Sequence, residues 1–326
     1  MKRFLLFILA SCSFSFANAQ SFNEDNDEHG IFNHLDASLS LGTTGVGIDV
    51  SSPITDLAQV RLGFSFMPHF NYKVNFGVQV GDNPAESASK FQNLSGVLKD
   101  LTGYQVDNSV DMICEPSYYN LQVLFDVFPF KRNKHWHFTA GFYWGNSRIG
   151  KAYNTTEDMP SLVAVGIYNN MYEKALRREP FVTINMNGSN IAITDDPEYQ
   201  DILFNNFSSY GRMGVRIGDY VSDGSQYVIE PDENSMIKAT MKANSFKPYI
   251  GFGYGGRLIK GDDRYRISFD CGAMFWGGSP SIVTHDGTDL VSDVTNIRGK
   301  VGDYVKLAKS FKVFPVLSVR FTRTIF

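Results

Sequence analysis

Between Lys247 and Leu258 the chain reads KPYIGFGYGGRL, with Gly251, Gly253 and Gly255 on alternate positions and Ile250, Phe252 and Tyr254 between them. Successive side chains of an extended strand point to opposite faces, so one face here is bare and the other aromatic. Glycine costs backbone entropy inside a strand. A repeated glycine face is tolerated only where side-chain volume is unwelcome, as inside a narrow closed barrel. The aromatic face then looks outward. In water it would be an exposed apolar patch, whereas against a bilayer it is the required surface.

The same alternation recurs along the chain. WHFTAGFYWG sets Trp136, Phe138, Ala140, Phe142 and Trp144 against His137, Thr139, Gly141, Tyr143 and Gly145. YRISFDCGAMF sets Tyr265, Ile267, Phe269 and Cys271 against Arg266, Ser268, Asp270 and Gly272, and PVLSVRFTRTIF sets Leu317, Val319 and Phe321 against Ser318, Arg320 and Thr322. YYNLQVLFDVF and VRLGFSF repeat the pattern, and LDASLSLGTTGVGIDVSSP carries it twice around a phase slip at 42–45, a bulge or a tight hairpin. The connections 51–57, 129–134 and 260–263 are short, while 71–117, 150–245 and 277–310 are long. Short periplasmic turns opposite long extracellular loops are the mark of an outer-membrane barrel. The expected fold is therefore all-β, a transmembrane antiparallel up-and-down β-barrel spanning 34–326. It closes on about eight strands if the slip is a hairpin, with ten to twelve as the alternative count.

A soluble sandwich or lipocalin-like barrel also alternates, but its apolar face is the core and its outer face is polar. Here the non-aromatic face carries Asp36, Asp49, Asp126 and Asp270 with Arg61, Lys247, Arg266 and Arg320. Such groups are rarely buried unless paired, and the two signs balance. The expectation is a lumen filled by a paired charge network.

The blocks GTTGVGIDV, VRLGF, DVFPF with HFTAGFYWG, KPYIGFGYG, FDCGAMFWGGSP and FPVLSVRFTRTIF resemble a large, uncharacterised family of outer-membrane β-barrel proteins of Gram-negative bacteria. The resemblance covers most of the chain in spaced blocks and implies location and fold, with no activity. Members usually end on an aromatic in phase with the lipid face; here Ile325 is in phase, Phe326 lies one residue beyond, and Arg323 occupies a lipid-phase position.

The amino terminus, MKRFLLFILASCSFSFANAQ, has the basic start, apolar run and small-x-small site of an export signal over 1–19, cleaved after Ala17-Asn18-Ala19 and before Gln20. Reading Leu9-Ala10-Ser11-Cys12 as a lipoprotein box is the competing view. An acidic tail, 20–33, follows. Of the 3 cysteines, Cys114 and Cys271 lie beyond the signal, in a loop and a strand, and no disulfide is expected. The 34 acidic residues exceed the 30 basic ones, and no basic patch points to nucleic acid. No apolar run is long enough for a membrane-spanning helix.

The long loops have structure of their own. Asn83-Pro84-Ala85-Glu86 is a helix start, Phe91, Leu94, Leu98 and Leu101 follow at helical spacing, and Gly103 stops them. Pro160 to Arg178 is a second helix, with Val163, Ile167 and Met171 in steps of four. FVTINMNGSNIAIT is a hairpin turning at Asn187-Gly188, and Thr288 to Lys309 is a third helical pattern. Together they are expected to cap the outer mouth.

Chemical motifs are sparse. Gly251, Gly253 and Gly256 match G-x-G-x-x-G but no helix follows, so a dinucleotide site is not expected. His135 and His137 bracket Trp136 beside a turn, the place of interfacial anchors rather than of a ligand pair, and DNDEHG at 25–30, with His29 at the fifth position and no glutamate at the twelfth, is a solvated tail rather than a calcium loop. The functional expectation is an outer-membrane barrel with a plugged lumen and a folded external cap in a structural or recognition role, with no enzyme activity, cofactor or metal. Its expected partners are outer-membrane lipids, the barrel-assembly machinery and an extracellular ligand. A small-solute channel and a lipid-modifying enzyme are the alternatives.

Overall fold

The computed structural model describes residues 34–326 apart from 81–82, 104, 131–133, 187–188, 194–195 and 298, so the export signal, its site at Ala17, Ala19 and Gln20, and the acidic tail lie outside the described residues. Eight strands close the wall: β1 (Asp36–Gly42), β2 (Gly45–Thr55), β3 (Ala58–Phe66), β4 (Tyr119–Val127), β5 (Trp136–Gly145), β6 (Phe246–Ile259), β7 (Asp262–Phe275) and β8 (Val313–Thr324). Each pairs antiparallel with its successor, and β8 returns to β1 in register from Asp36↔Thr324 to Gly42↔Ser318. Closure leaves no edge strand, so the ladder of backbone hydrogen bonds runs right round the wall.

The slip at 42–45 is a hairpin turning at Thr43-Thr44. Gly45 takes φ of +93°, a conformation that favours glycine, and a Cβ at Gly42 would overlap the Leu317 carbonyl of the neighbouring strand. The connection expected to begin at Ser51 is instead strand as far as Thr55. Pro53 is accommodated because the β2–β3 register breaks between Pro53 and Thr55, where the missing N–H costs no ladder bond.

On the outside, Leu41, Ile48, Leu62, Phe64, Leu121, Phe125, Phe138, Ile250, Phe252, Phe269, Leu317 and Phe321 are exposed and form an apolar band. Aromatic rings border it at both ends. Trp136 and Tyr254, centroids 4.9 Å apart, mark the short-turn end, and Tyr119 and Trp144 mark the loop end. An apolar band between two aromatic girdles around a closed wall is the surface of a transmembrane barrel. Arg323, out of character for that band, lies near the short-turn end with its guanidinium 5.8 Å from the Tyr265 ring, where an arginine can keep its charge in the interface.

Above the loop-side rim the wall continues. The strands 281–284, 238–242, 148–154, 109–116 and 72–77 form a five-stranded sheet in the same neighbour order as β7, β6, β5, β4 and β3, from which they extend. The remaining three strands end at the tight β1–β2 hairpin and at the start of β8. Against this half-wall lies a second sheet centred on Met213–Tyr220, together with α1 (Pro84–Thr102), α2 (Met159–Arg177), α3 (Pro197–Tyr210) and α4 (Gly299–Ser310). Val110, Met112, Leu162, Val215, Ile217, Tyr227, Leu290, Val294 and Val305 make one buried core, and Val80, Leu94, Leu98, Val165, Tyr168 and Met213 another.

Several loop expectations change. The strands of the extension sheet are an addition, although Tyr72, Val74, Phe76, Val78 and Val80 alternate plainly. In α2 the buried stripe is Leu162, Val165, Tyr168 and Asn169, and Ile167 is exposed. The third helix starts at Gly299 rather than Thr288. Before it, Asp289 accepts from the N–H groups of Ile282 and Val291, and Asp293 accepts from that of Asp289, which takes the backbone out of helical pairing. The hairpin pairs Val182–Met186 with Ser189–Ile193, and its Asn187-Gly188 turn lies outside the described residues.

Candidate functional site

The bare face of β6 is bare because other side chains lie across it. A Cβ at Gly251 or Gly272 would overlap the Tyr249 hydroxyl, and one at Gly253 would overlap the His137 ring. The barrel interior is narrow enough that large groups fit only where neighbouring strands contribute none.

Two layers fill it. The first, toward the short-turn end, is charged. Asp126 on β4 accepts from Arg61 (2.9 Å), Gln59 (2.8 Å) and Thr139 (2.7 Å), and Arg320 stands 3.9 Å away. Asp270 on β7 contacts His137 (2.8 Å), accepts from Ser268 (3.1 Å), and faces Arg320 at 3.5 Å and Arg61 at 3.9 Å. Arg320 also donates to Ser268 at 3.2 Å. The two guanidiniums therefore bridge the two carboxylates, and hydrogen bonds from neutral groups complete each acid. A buried ion pair tolerates desolvation only with such additional partners. Nearer the short turns, Asp36 pairs with Arg266 and accepts from Thr324 at 2.7 Å, and Ser38 bonds Thr322 at 2.9 Å.

The second layer, toward the loop end, is apolar and aromatic: Leu124, Tyr143, Tyr249, Met274, Trp276 and Val316 are all buried. Tyr143 and Tyr249 meet edge to face at 5.4 Å, and Trp276 stacks on Phe314 at 5.1 Å. Below the charged layer a cavity of about 1100 Å³ opens at the short-turn end, bounded by Asp36, Gln59, His137, Arg266, Ser268 and Arg320.

Of the eight charges singled out in the sequence, Asp126, Asp270, Arg61 and Arg320 meet in one cluster, and Asp36 and Arg266 in a separate pair. Two do not fit the pairing. Asp49 is buried with no hydrogen bond to either carboxylate oxygen, and among the described residues none forms an ion pair with Lys247. The aromatic layer and His137 are what sequence reasoning missed. His137 is no interfacial anchor: it is buried in the lumen against Asp270, because it is in phase with the inner face of β5. That phase was the available signal. His135 does stand at the rim, its ring bonded to the Gly255 carbonyl at 2.6 Å. Among the described residues no three His, Cys, Asp or Glu side chains are grouped to hold a metal ion.

No family model matches the chain, and no curated protein matches it. Among solved structures the chain is similar to CarO2 of Acinetobacter baumannii, with 13% identity, 90% of this chain and 99% of that chain covered, and a TM-score of 0.36. It is similar also to CarO of the same organism, with 11% identity, 88% and 96% covered, and a TM-score of 0.37. A major outer membrane protein from Thermus thermophilus follows at 9% identity, 89% and 98% covered, and a TM-score of 0.27. Likenesses of this strength assign neither fold nor activity, and the barrel rests on its own hydrogen-bonded register.

Proposed function

We propose that the protein is an integral outer-membrane barrel of the family its wall blocks resemble, exported through its amino-terminal signal, with a lumen plugged by its own side chains. Its folded external cap serves a structural or surface-recognition role, and the chain carries no chemistry of its own. The observation behind this reading is the stack of a charged and an aromatic layer across the lumen. An eight-stranded wall encloses just enough space for side chains or one small ligand, and both layers use that space. Lipids of the outer membrane surround the apolar band, the barrel-assembly machinery inserts the wall, and an extracellular ligand would meet the cap.

Single-channel recording from purified protein in planar bilayers tests the plug. The expected result is no steady ohmic current. Large, steady currents would replace this reading with that of a small-solute channel.

A further inference from the structure

At the outer mouth, where the aromatic layer meets the cap, one lysine is buried without a counter-charge. Lys247 is 0% exposed. Its ammonium donates to Asn120 Oδ1 at 3.0 Å and toward the Ser245 carbonyl at 3.4 Å, and lies 5.8 Å from the centroid of the Tyr118 ring. Among the described residues, none forms an ion pair with it.

The groups beside it share a second property. Asn120, 0% exposed, uses its carbonyl for the lysine, while its Nδ2 makes no hydrogen bond. Ser65, 2% exposed and directly opposite Asn120 in the β3–β4 register, has an unpartnered Oγ. The Tyr118 hydroxyl, on a residue 7% exposed, stands near the Asn120 amide without the geometry of a hydrogen bond. All three can donate; Asn120 and Tyr118 stand beside the ammonium, and Ser65 lies across from Asn120. Gly145 makes the arrangement sterically feasible: it pairs with Asn120 across β4–β5, and a Cβ there would come within 2.7 Å of Asn120 Oδ1, the lysine's acceptor.

A buried ammonium without a counter-charge, with unpartnered donors around its acceptor, is electrostatically poor as a closed structure. The same four groups are the donor set of a small anion. We propose that Lys247, Asn120, Tyr118 and Ser65 form a binding site for a small monoanion, of halide or formate size, enclosed beneath the cap and completing the charge balance of the outer mouth. This goes beyond the plug and cap roles and holds whatever the cap recognises.

The full chain is refolded into detergent micelles in sodium bromide, in sodium formate, or in sodium gluconate at equal ionic strength, so that the ion is present when the site closes. The folded-to-unfolded ratio should rise about tenfold for each tenfold increase of bromide or formate above its dissociation constant, and should not respond to gluconate, which is too large to enter. Asn120→Asp places a carboxylate beside the ammonium and should fold equally well in all three salts. Lys247→Met should likewise lose the response, and crystals grown in bromide should give an anomalous peak beside Lys247 Nζ. Equal behaviour of the wild type in all three salts, an Asn120→Asp protein that responds as the wild type does, or bromide crystals without that peak would overturn the proposal.

Discussion

Five strands of the wall are continued, after breaks of a few residues, by the five strands of the extension sheet, yet wall and cap bury opposite things. In the barrel, Asp126, Asp270, Arg61 and Arg320 are inside and Phe138, Phe252, Phe269 and Phe321 are outside. In the cap, Val74, Val110, Met112, Val215 and Ile217 are inside, while the ion pairs Arg212–Glu173, Arg178–Asp201 and Lys151–Glu115 lie on or near the surface. The chain crosses from one regime to the other within a few residues, at Ser117-Tyr118 and at Asn146-Ser147. What changes there is the solvent. Outside the girdles, water makes apolar exposure costly and a hydrophobic core results; between them, lipid makes it favourable and the polar groups turn inward.

The largest effect should come from disturbing the charged layer. Arg320→Met leaves Asp126 and Asp270 with Arg61 as their remaining guanidinium, and an uncompensated buried charge costs about 3–5 kcal/mol. Adding Asp270→Asn should restore much of that loss in urea titrations of folding into lipid vesicles. If the double variant is no better than the single one, the layer is not held by charge pairing.

Reversing the outward face comes next. Phe252→Arg, on the lipid side of β6, should cost about 2–4 kcal/mol if that position lies at the bilayer midplane, and less toward the girdles. Gly253→Ala, one residue along and facing the lumen, should cost about 1–3 kcal/mol through overpacking against His137. The two are compared by the fraction that keeps the fast gel mobility of the folded barrel without boiling. A harmless Phe252→Arg would mean that the aromatic face does not meet lipid.

The smallest effect belongs to the cap surface. Hydrogen bonds from Lys151 and Tyr153 hold the Glu115 carboxyl below its ordinary range. A carboxyl depressed in the folded state adds stability above its unfolded pKa, and that contribution fades as the pH falls through the folded pKa. Glu115→Gln should therefore be slightly less stable than the wild type at neutral pH and equal to it in strong acid, as read by thermal unfolding. A difference that grows on acidification would reverse the assigned direction.

Much of the wall was legible because alternation is a local property. The glycine face of 251–255, the aromatic face of 136–144 and the double run through 42–45 each announce a strand and its inner side without reference to any other part of the chain. The helix start at Asn83 was legible for the same reason: its side chain accepts from Ala85 N and bonds Glu86, and Gly103 closes the helix at φ +76°. The start of α3 at Asp196-Pro197-Glu198 carries the same signature, a local signal that the sequence reading does not use. The extension sheet is harder to read because its strands are short and interrupted by helices, although 72–80 alternates as clearly as the wall.

The sequence by itself determined the alternating runs, their inner and outer faces, and therefore a barrel whose charges point inward; the count of eight was settled by the hairpin at 42–45. Tertiary structure decided which charges meet. Pairing depends on register between strands far apart in the chain, and only closure brings Asp36 on β1 to Arg266 on β7, or Asp126 on β4 within reach of Arg320 on β8. Closure also decided that His137 joins Asp270 and that Tyr249 lies across Gly251 of its own strand and Gly272 of β7. Lys247 and Asp49 carry the same inward phase as the six paired charges, but the register sets no opposite charge beside the lysine and leaves the aspartate without a hydrogen bond, because phase selects a face and only register selects a neighbour.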